Sequence, residues 1–174
     1  KSDITIKNNK WYINEEQDRF HKISFNKKLT KFNIDKFKIY HNNEEIKLSG
    51  FIQDSTQKDI KLDFTNVDLA KITPDIDSLT LDGNVNGKLD IVQKNGSYLT
   101  NSTIVIDDFK VNDFLLGSFD ATITGNETLT NYKVDATIKD DISKSFSAKG
   151  DIYVSGKQST IDVLLDFNDF NLSP

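Results

Sequence analysis

The sequence predicts an all-β protein, an elongated antiparallel meander of many short strands. Three observations lead there. Apolar and polar residues alternate with a period of two over most of the length. Clusters of Asn, Asp, Gly and Lys interrupt the alternation at intervals of roughly ten residues, where tight turns fall. Only one stretch has helical spacing, and 2 prolines in 174 residues leave little to break strand pairing.

The elements follow in order. Ile4 and Ile6, then Trp11 and Ile13, form a first hairpin around Asn8 and Asn9. Ile23 with Phe25, Phe32 with Ile34, Phe37 with Ile39, Ile46 with Leu48, and Ile60 with Leu62 and Phe64 continue the series. Leu69, Ile72, Ile76 and Leu79 are spaced for a helix. Pro74 lies inside that stretch, so one or two short turns are expected near 68–78. In 79–92, Leu79, Leu81, Val85, Leu89 and Ile91 share one face with Gly83 and Gly87, as in a half-buried strand or a bent pair. Leu115, Gly117, Phe119, Ala121 and Ile123 repeat the alternation. So do Tyr132, Val134, Ala136 and Ile138; then Phe146, Ala148, Gly150, Ile152 and Val154; then Ile161, Val163, Leu165 and Phe167. Turns are expected at Asn42-Asn43, Lys94-Asn95-Gly96, Gly125-Asn126, Asp140-Asp141 and Ser155-Gly156-Lys157. Degenerate repeats run through the chain: Phe32 to Ile39 matches Ile104 to Val111, and Ile46 to Leu69 resembles Phe146 to Leu172.

Composition removes several functions. The 22 basic and 27 acidic side chains give a net charge of -5, and Arg19 is the lone arginine. A protein that tracks phosphates along nucleic acid is usually basic. The absence of cysteine excludes a disulfide framework, a thiolate nucleophile and a Cys-ligated zinc. No apolar run is long enough to cross a bilayer as a helix. The chain opens at Lys1 without an initiator Met and reads as a piece of a longer protein.

Motifs for chemistry are sparse, and no enzyme activity, cofactor or metal is expected. His21 and His41, the only histidines, lack triad or metal-binding spacing and read as surface residues. Asp75, Asp77 and Asp82 fall short of a calcium loop and read as solvated turn carboxylates. Asp107-Asp108 and Asp140-Asp141 fit turns and strand ends better than acid–base pairs. Asn101, Asn126 and Asn171 open glycosylation-type triplets that are common by chance. The glycines on the apolar face (Gly83, Gly87, Gly117, Gly125 and Gly150) mark either a sharply curved sheet or something passing over that face, or else corners of a closed barrel or sandwich.

A longer pattern runs through residues 60–174. A turn carrying Val67, Leu69, Ile72 and Pro74 leads into Leu81, Gly83, Gly87, Leu89 and Ile91. A strand with Ile106, Asp108 and Val111 follows, then Leu116, Gly117, Phe119, Ala121, Ile123 and Gly125. This order resembles the TamB family of envelope proteins, within the wider AsmA-like group, in a Bacteroidota-type version. Residues 1–59 are similar in style alone.

The resemblance implies a single periplasmic β-rich segment, 1–174, of a parent anchored in the inner membrane. It implies a sheet folded lengthwise into a U-shaped trough with an apolar interior. It further implies transport of phospholipid between the membranes, support of outer-membrane protein assembly, and an Omp85-type barrel partner. The groove candidates for phospholipid acyl chains are Leu81, Val85, Leu89, Ile91, Phe119, Ala121, Ile123, Val134, Ile138, Ile152, Val163 and Leu165. The alternative is a closed β-sandwich serving adhesion or interaction, with the same residues sealed in its core. A chaperone that pairs free edges with nascent strands is a third expectation.

Overall fold

A computed structural model describes residues 2–13, 22–54, 56–74, 79–94, 97–126, 128, 130–140, 145–155 and 158–170. Twelve strands and one helical turn make up nearly all of these residues. The strands are β1 (Ser2–Ile6), β2 (Asn9–Ile13), β3 (Lys22–Phe25), β4 (Lys31–His41), β5 (Glu44–Gln53) and β6 (Gln57–Asp68). After the helical turn α1 (Leu69–Ile72) come β7 (Leu81–Lys94), β8 (Ser97–Val111), β9 (Phe114–Gly125), β10 (Asn131–Lys139), β11 (Ser145–Ser155) and β12 (Gln158–Asn168). All belong to one open antiparallel sheet whose spatial order is the order in the chain. The one departure is β3, which shares the same side of β4 with β2. A sandwich would divide these strands between two packed sheets; here they form one.

Tight turns carry the meander. Ile6 pairs with Asn9, so the first hairpin turns at Lys7-Asn8, one residue earlier than expected. Both turn residues have positive φ (44 and 64), as a type I′ turn requires. Asn112 and Asp113 (φ 50 and 64) make an equivalent turn between β8 and β9. The sequence reading passed over that one. The turn expected at Asn42-Asn43 joins β4 to β5. Gly96, Asp141, Gly156 and Lys157 fall outside the described residues, as do His21, Asp75, Asp77 and Asn171.

The repeat of Phe32 to Ile39 in Ile104 to Val111 has a structural meaning. Each contains a β-bulge with the same four-residue step: apolar, polar, left-handed, apolar. In β4 it is Ile34, Asp35, Lys36 (φ 50) and Phe37; in β8, Ile106, Asp107, Asp108 (φ 53) and Phe109. A third copy is Phe64, Thr65, Asn66 (φ 50) and Val67 in β6. The inserted residue resets the alternation, so apolar residues three apart both face inward, and it bends the strand. Another bulge, between Phe109 and Lys110, sets Leu115 level with Lys110 on the outer face. The simple alternation had placed Leu115 on the face of Gly117 and Phe119.

Two glycines sit where the neighbouring strand comes close. Gly87 has φ 132, and a Cβ there would lie 2.1 Å from the carbonyl oxygen of Thr103 on β8. Gly50 repeats this on β5, with φ 125 and the Asp59 oxygen at 1.9 Å. Only glycine allows that conformation together with so close an approach. A close approach of the neighbouring strand, which leaves no room for a side chain, is what these two positions serve.

The sheet is folded lengthwise into a trough. Trp11 of β2 belongs to one buried cluster with Val67 of β6, Val85 of β7 and Ile106 of β8, and Ile6 packs against it. The first hairpin thus closes toward the middle strands at one end. Asp68 caps α1 by accepting from the Ala70 N–H at 3.0 Å, and Pro74 follows directly after Thr73 closes the turn. Leu69 and Ile72 of α1 pack on the same cluster.

Candidate functional site: the apolar trough

The registers of the sheet assemble apolar residues into rows that run across the strands. One row passes through Val67, Val85, Ile106, Phe119, Ile138, Phe146 and Phe167. A second passes through Ile39, Ile46, Phe64, Gly87, Ile104, Ala121, Ala136, Ala148 and Leu165. A third passes through Phe37, Leu48, Leu62, Leu89, Ser102, Ile123, Val134, Gly150 and Val163. A fourth begins with Ile34, Gly50, Ile60 and Ile91 and ends with Tyr132, Ile152 and Ile161. Strand alternation produces the face; register aligns it from strand to strand.

All twelve groove candidates named from the sequence lie on this one face. Val85, Phe119 and Ile138 are in the first row, Ala121 and Leu165 in the second, and Leu89, Ile123, Val134 and Val163 in the third. Ile91 and Ile152 are in the fourth, and Leu81 ends the lane beside Val111. Of the twelve, only Val85 and Ile138 are buried; Leu165 is exposed and the rest are half-buried. The face is apolar, continuous and only partly covered. Ser102 interrupts the third row, but its hydroxyl is hydrogen-bonded to Thr100.

The small residues are placed in a pattern. Gly87, Ala121, Ala136 and Ala148 share the second row, between rows of larger side chains. They deepen the middle of the lane, while Ile, Leu, Val and Phe stand on either side.

One end of the lane holds an ionic group. Parity along β4 and β5 turns His41 and Glu44 inward, in line with Trp11. Glu44 is only 5% exposed, and its Oε2 is 2.8 Å from the Lys71 Nζ of α1. Its Oε1 accepts the Asp68 N–H at 2.8 Å. His41 packs against Trp11, with ring centroids 5.7 Å apart, and Nδ1 lies 2.9 Å from the Lys10 carbonyl oxygen. It is therefore an inward, half-buried residue and not the surface histidine expected. Sequence reasoning missed Glu44 and Lys71 altogether. The signal was present: Ile39-x-His41 and Glu44-x-Ile46 carry the apolar-face parity straight onto these two residues.

The remaining candidates are scattered. Asp82 lies outward, 3.9 Å from Lys110, and Asp108 is a bulge residue. Among the described residues no group of three or more His, Cys, Asp or Glu is placed to hold a metal ion.

The hydrogen bond to Glu44 raises the Lys71 ammonium above its ordinary value, against the effect of burial and with help from Asp68. Lys71 thus holds its proton more tightly folded than unfolded. Its contribution is complete below the unfolded lysine value, about 10.4, and is lost as pH rises through the higher folded value. Glu45, on the outer face, behaves oppositely. The hydrogen bond from Lys47 lowers its carboxyl, burial opposes this, and Lys38 adds to it. That contribution is present above the unfolded glutamate value, about 4.3, and is lost as pH falls through the folded one. Urea unfolding followed against pH should show both limbs. Lys71→Met should flatten the alkaline limb; an unchanged alkaline limb would exclude the Lys71 pair as its source.

Comparison of the chain with protein-family models, curated proteins and solved structures finds no match.

Proposed function

We propose that the chain is a TamB-like segment of a periplasmic bridge whose trough carries phospholipid acyl chains between inner and outer membranes. The observation that carries this reading is the set of aligned apolar rows left half-covered on a single open sheet. Acyl chains need a lane of aliphatic groups and no directed polar chemistry. Each buried methylene gains about 0.8 kcal/mol, so even a partly covered lane holds a long chain. The polar outer face keeps the wall in water. In this reading the parent is anchored in the inner membrane, meets an Omp85-type barrel at the outer membrane, and supports outer-membrane protein assembly by supplying lipid.

Photo-crosslinking tests it in the parent protein. A photoreactive residue replaces Val134, Ile152 or Val163 in turn, with the outward Lys133 as control. Phospholipid adducts are expected at the three inward positions and not at Lys133. Folded protein without adducts at any of the three would remove the lipid reading and favour an interaction module.

A further inference from the structure

We propose that the trough contains a headgroup station, at which Lys58 and Gln93 take the phosphate ester of a lipid whose acyl chain lies in the lane. The inference rests on the lipid reading and adds to it a fixed place for the polar end. Three observations in mid-sheet carry it.

First, Lys58 stands on the wrong face for a lysine. It lies near the start of β6, paired with Ile52 on one side and Gln93 on the other, in line with Phe32. Ile60, two residues on, belongs to the fourth apolar row, so Lys58 also faces inward. Apart from the bulge residue Lys36, the other lysines of the described strands face outward. There several meet acids: Lys61 faces Asp90, Lys88 faces Asp63, and Lys149 faces Asp135. Neither cross-strand neighbour of Lys58 is acidic, and it makes no ion pair or hydrogen bond among the described residues. Lys58 is half-buried at the rim. Its stem can lie along apolar surface while its ammonium stays wet. That is a place for an anion that carries an apolar tail.

Second, Gln93 is an unsatisfied partner directly opposite. It is only 5% exposed, and its Oε1 is buried without a hydrogen-bond partner among the described residues. Buried polar groups are ordinarily paired. Residues opposite one another on neighbouring strands have Cβ atoms about 5 Å apart, so one small group can meet both side chains. The carboxamide can donate to a phosphate oxygen or accept from a hydroxyl or ammonium of the same headgroup.

Third, the polarity is local and the lane begins beside it. Thr100 pairs with Ile91 and Ser102 with Leu89, so both hydroxyls lie inward on β8, next to the Gln93 strand. They bond to each other, which uses one hydroxyl proton and leaves the second to donate elsewhere. Behind Lys58 and Gln93 come Ile60 and Ile91, then Leu62 and Leu89. The inward carboxylate of Glu44 is at the opposite end of β5 from Ile52, the neighbour of Lys58. An anion at Lys58 therefore meets attraction from the cation without an inward acid beside it among the described residues.

One acyl chain with and without a phosphate tests it. Monolauroylglycerol and monolauroylglycerol phosphate are each titrated into the full chain by calorimetry, below their micelle concentrations. The phosphate form should bind at least about tenfold more tightly, as a charge-assisted contact allows. That advantage should shrink with added salt. Lys58→Gln should bring the two ligands to equal affinity, Lys58→Arg should keep the advantage, and Gln93→Leu should reduce it. Lys61→Gln removes the same charge from the outer face of β6 and should keep the advantage. Glycerol phosphate, which has no chain, should bind far more weakly than the acyl phosphate. An advantage that survives Lys58→Gln overturns the proposal. So does glycerol phosphate binding as tightly as the acyl phosphate, which would mark a site for free phosphate esters. If monolauroylglycerol binds and the phosphate adds nothing, the station alone falls. If neither acyl ligand binds, the lipid reading falls with it.

Discussion

Trp11→Ala is expected to lower the unfolding free energy by about 3–5 kcal/mol, the cost of emptying a large core position. Trp11 is the only tryptophan and has no exposed surface. It joins the first hairpin to Val67, Val85 and Ile106 in mid-sheet. Without it the hairpin keeps its pairing with β4 but has lost its main apolar anchor over the trough, and the end should open. Urea unfolding followed by far-ultraviolet circular dichroism gives the number, since the variant has no tryptophan fluorescence. Trp11→Phe separates ring volume from indole chemistry. The indole Nε1 is buried without a hydrogen-bond partner among the described residues, so phenylalanine removes an unsatisfied donor along with some volume. It should cost much less than alanine. A loss under about 1 kcal/mol in the alanine variant, within the range of surface substitutions and small relaxations, would mean that the end is not closed through Trp11.

Val134→Asp and Ile152→Asp should each interrupt the lane. Val134 faces Gly150, and Ile152 faces Tyr132, one step along the same two strands. A carboxylate here must hydrate, and the water it holds displaces acyl methylenes from the adjoining rows. Losing two methylene contacts at about 0.8 kcal/mol each exceeds the roughly 1.4 kcal/mol that equals a factor of ten. Lipid adducts at Val163 in the parent should therefore fall by at least that factor. Both positions are half-buried, so the chain should still fold. Lys133→Gln, one residue away and outward, should leave adducts unchanged. If neither aspartate variant alters adduct yield, acyl chains do not use this part of the face.

Much of the fold was legible because strand parity is local. Residues such as Tyr132, Val134, Ala136 and Ile138 alternate without interruption, and so do their partners on β11. The meander followed from turn residues at short intervals, and the single helical turn from Leu69, Ile72 and Pro74. Bulges were the harder part. At Ile34 to Phe37 and Phe64 to Val67 the alternation breaks, and a sequence shows only that it breaks. That Lys36 and Asn66 adopt left-handed backbone depends on the partner strand. The Asn112-Asp113 turn was hidden because Val111 and Phe114 read as parts of longer apolar runs.

The candidate site divides in the same way. Its apolar residues could be placed on one face from alternation alone. Their alignment into rows depends on register, which hairpins and bulges set jointly. Glu44 was overlooked because a charged residue beside a turn resembles a solvated one. Only the approach of Lys71 from α1, 27 residues along, makes it an interior group.

A sheet whose spatial order copies its chain order behaves nearly as a one-dimensional lattice. Each strand is secured mainly by the one before and the one after, so free energy accumulates hairpin by hairpin. Such a lattice melts from its ends, and here the ends differ. The β1 side is pinned by Trp11, whereas among the described strands β12 pairs with β11 alone. Amide exchange should run as a gradient, fastest in β12 and slowest in β6 to β8. The same lattice can also be lengthened or shortened by whole hairpins without rearranging the interior, so a span between two fixed surfaces can be adjusted by duplication or deletion alone.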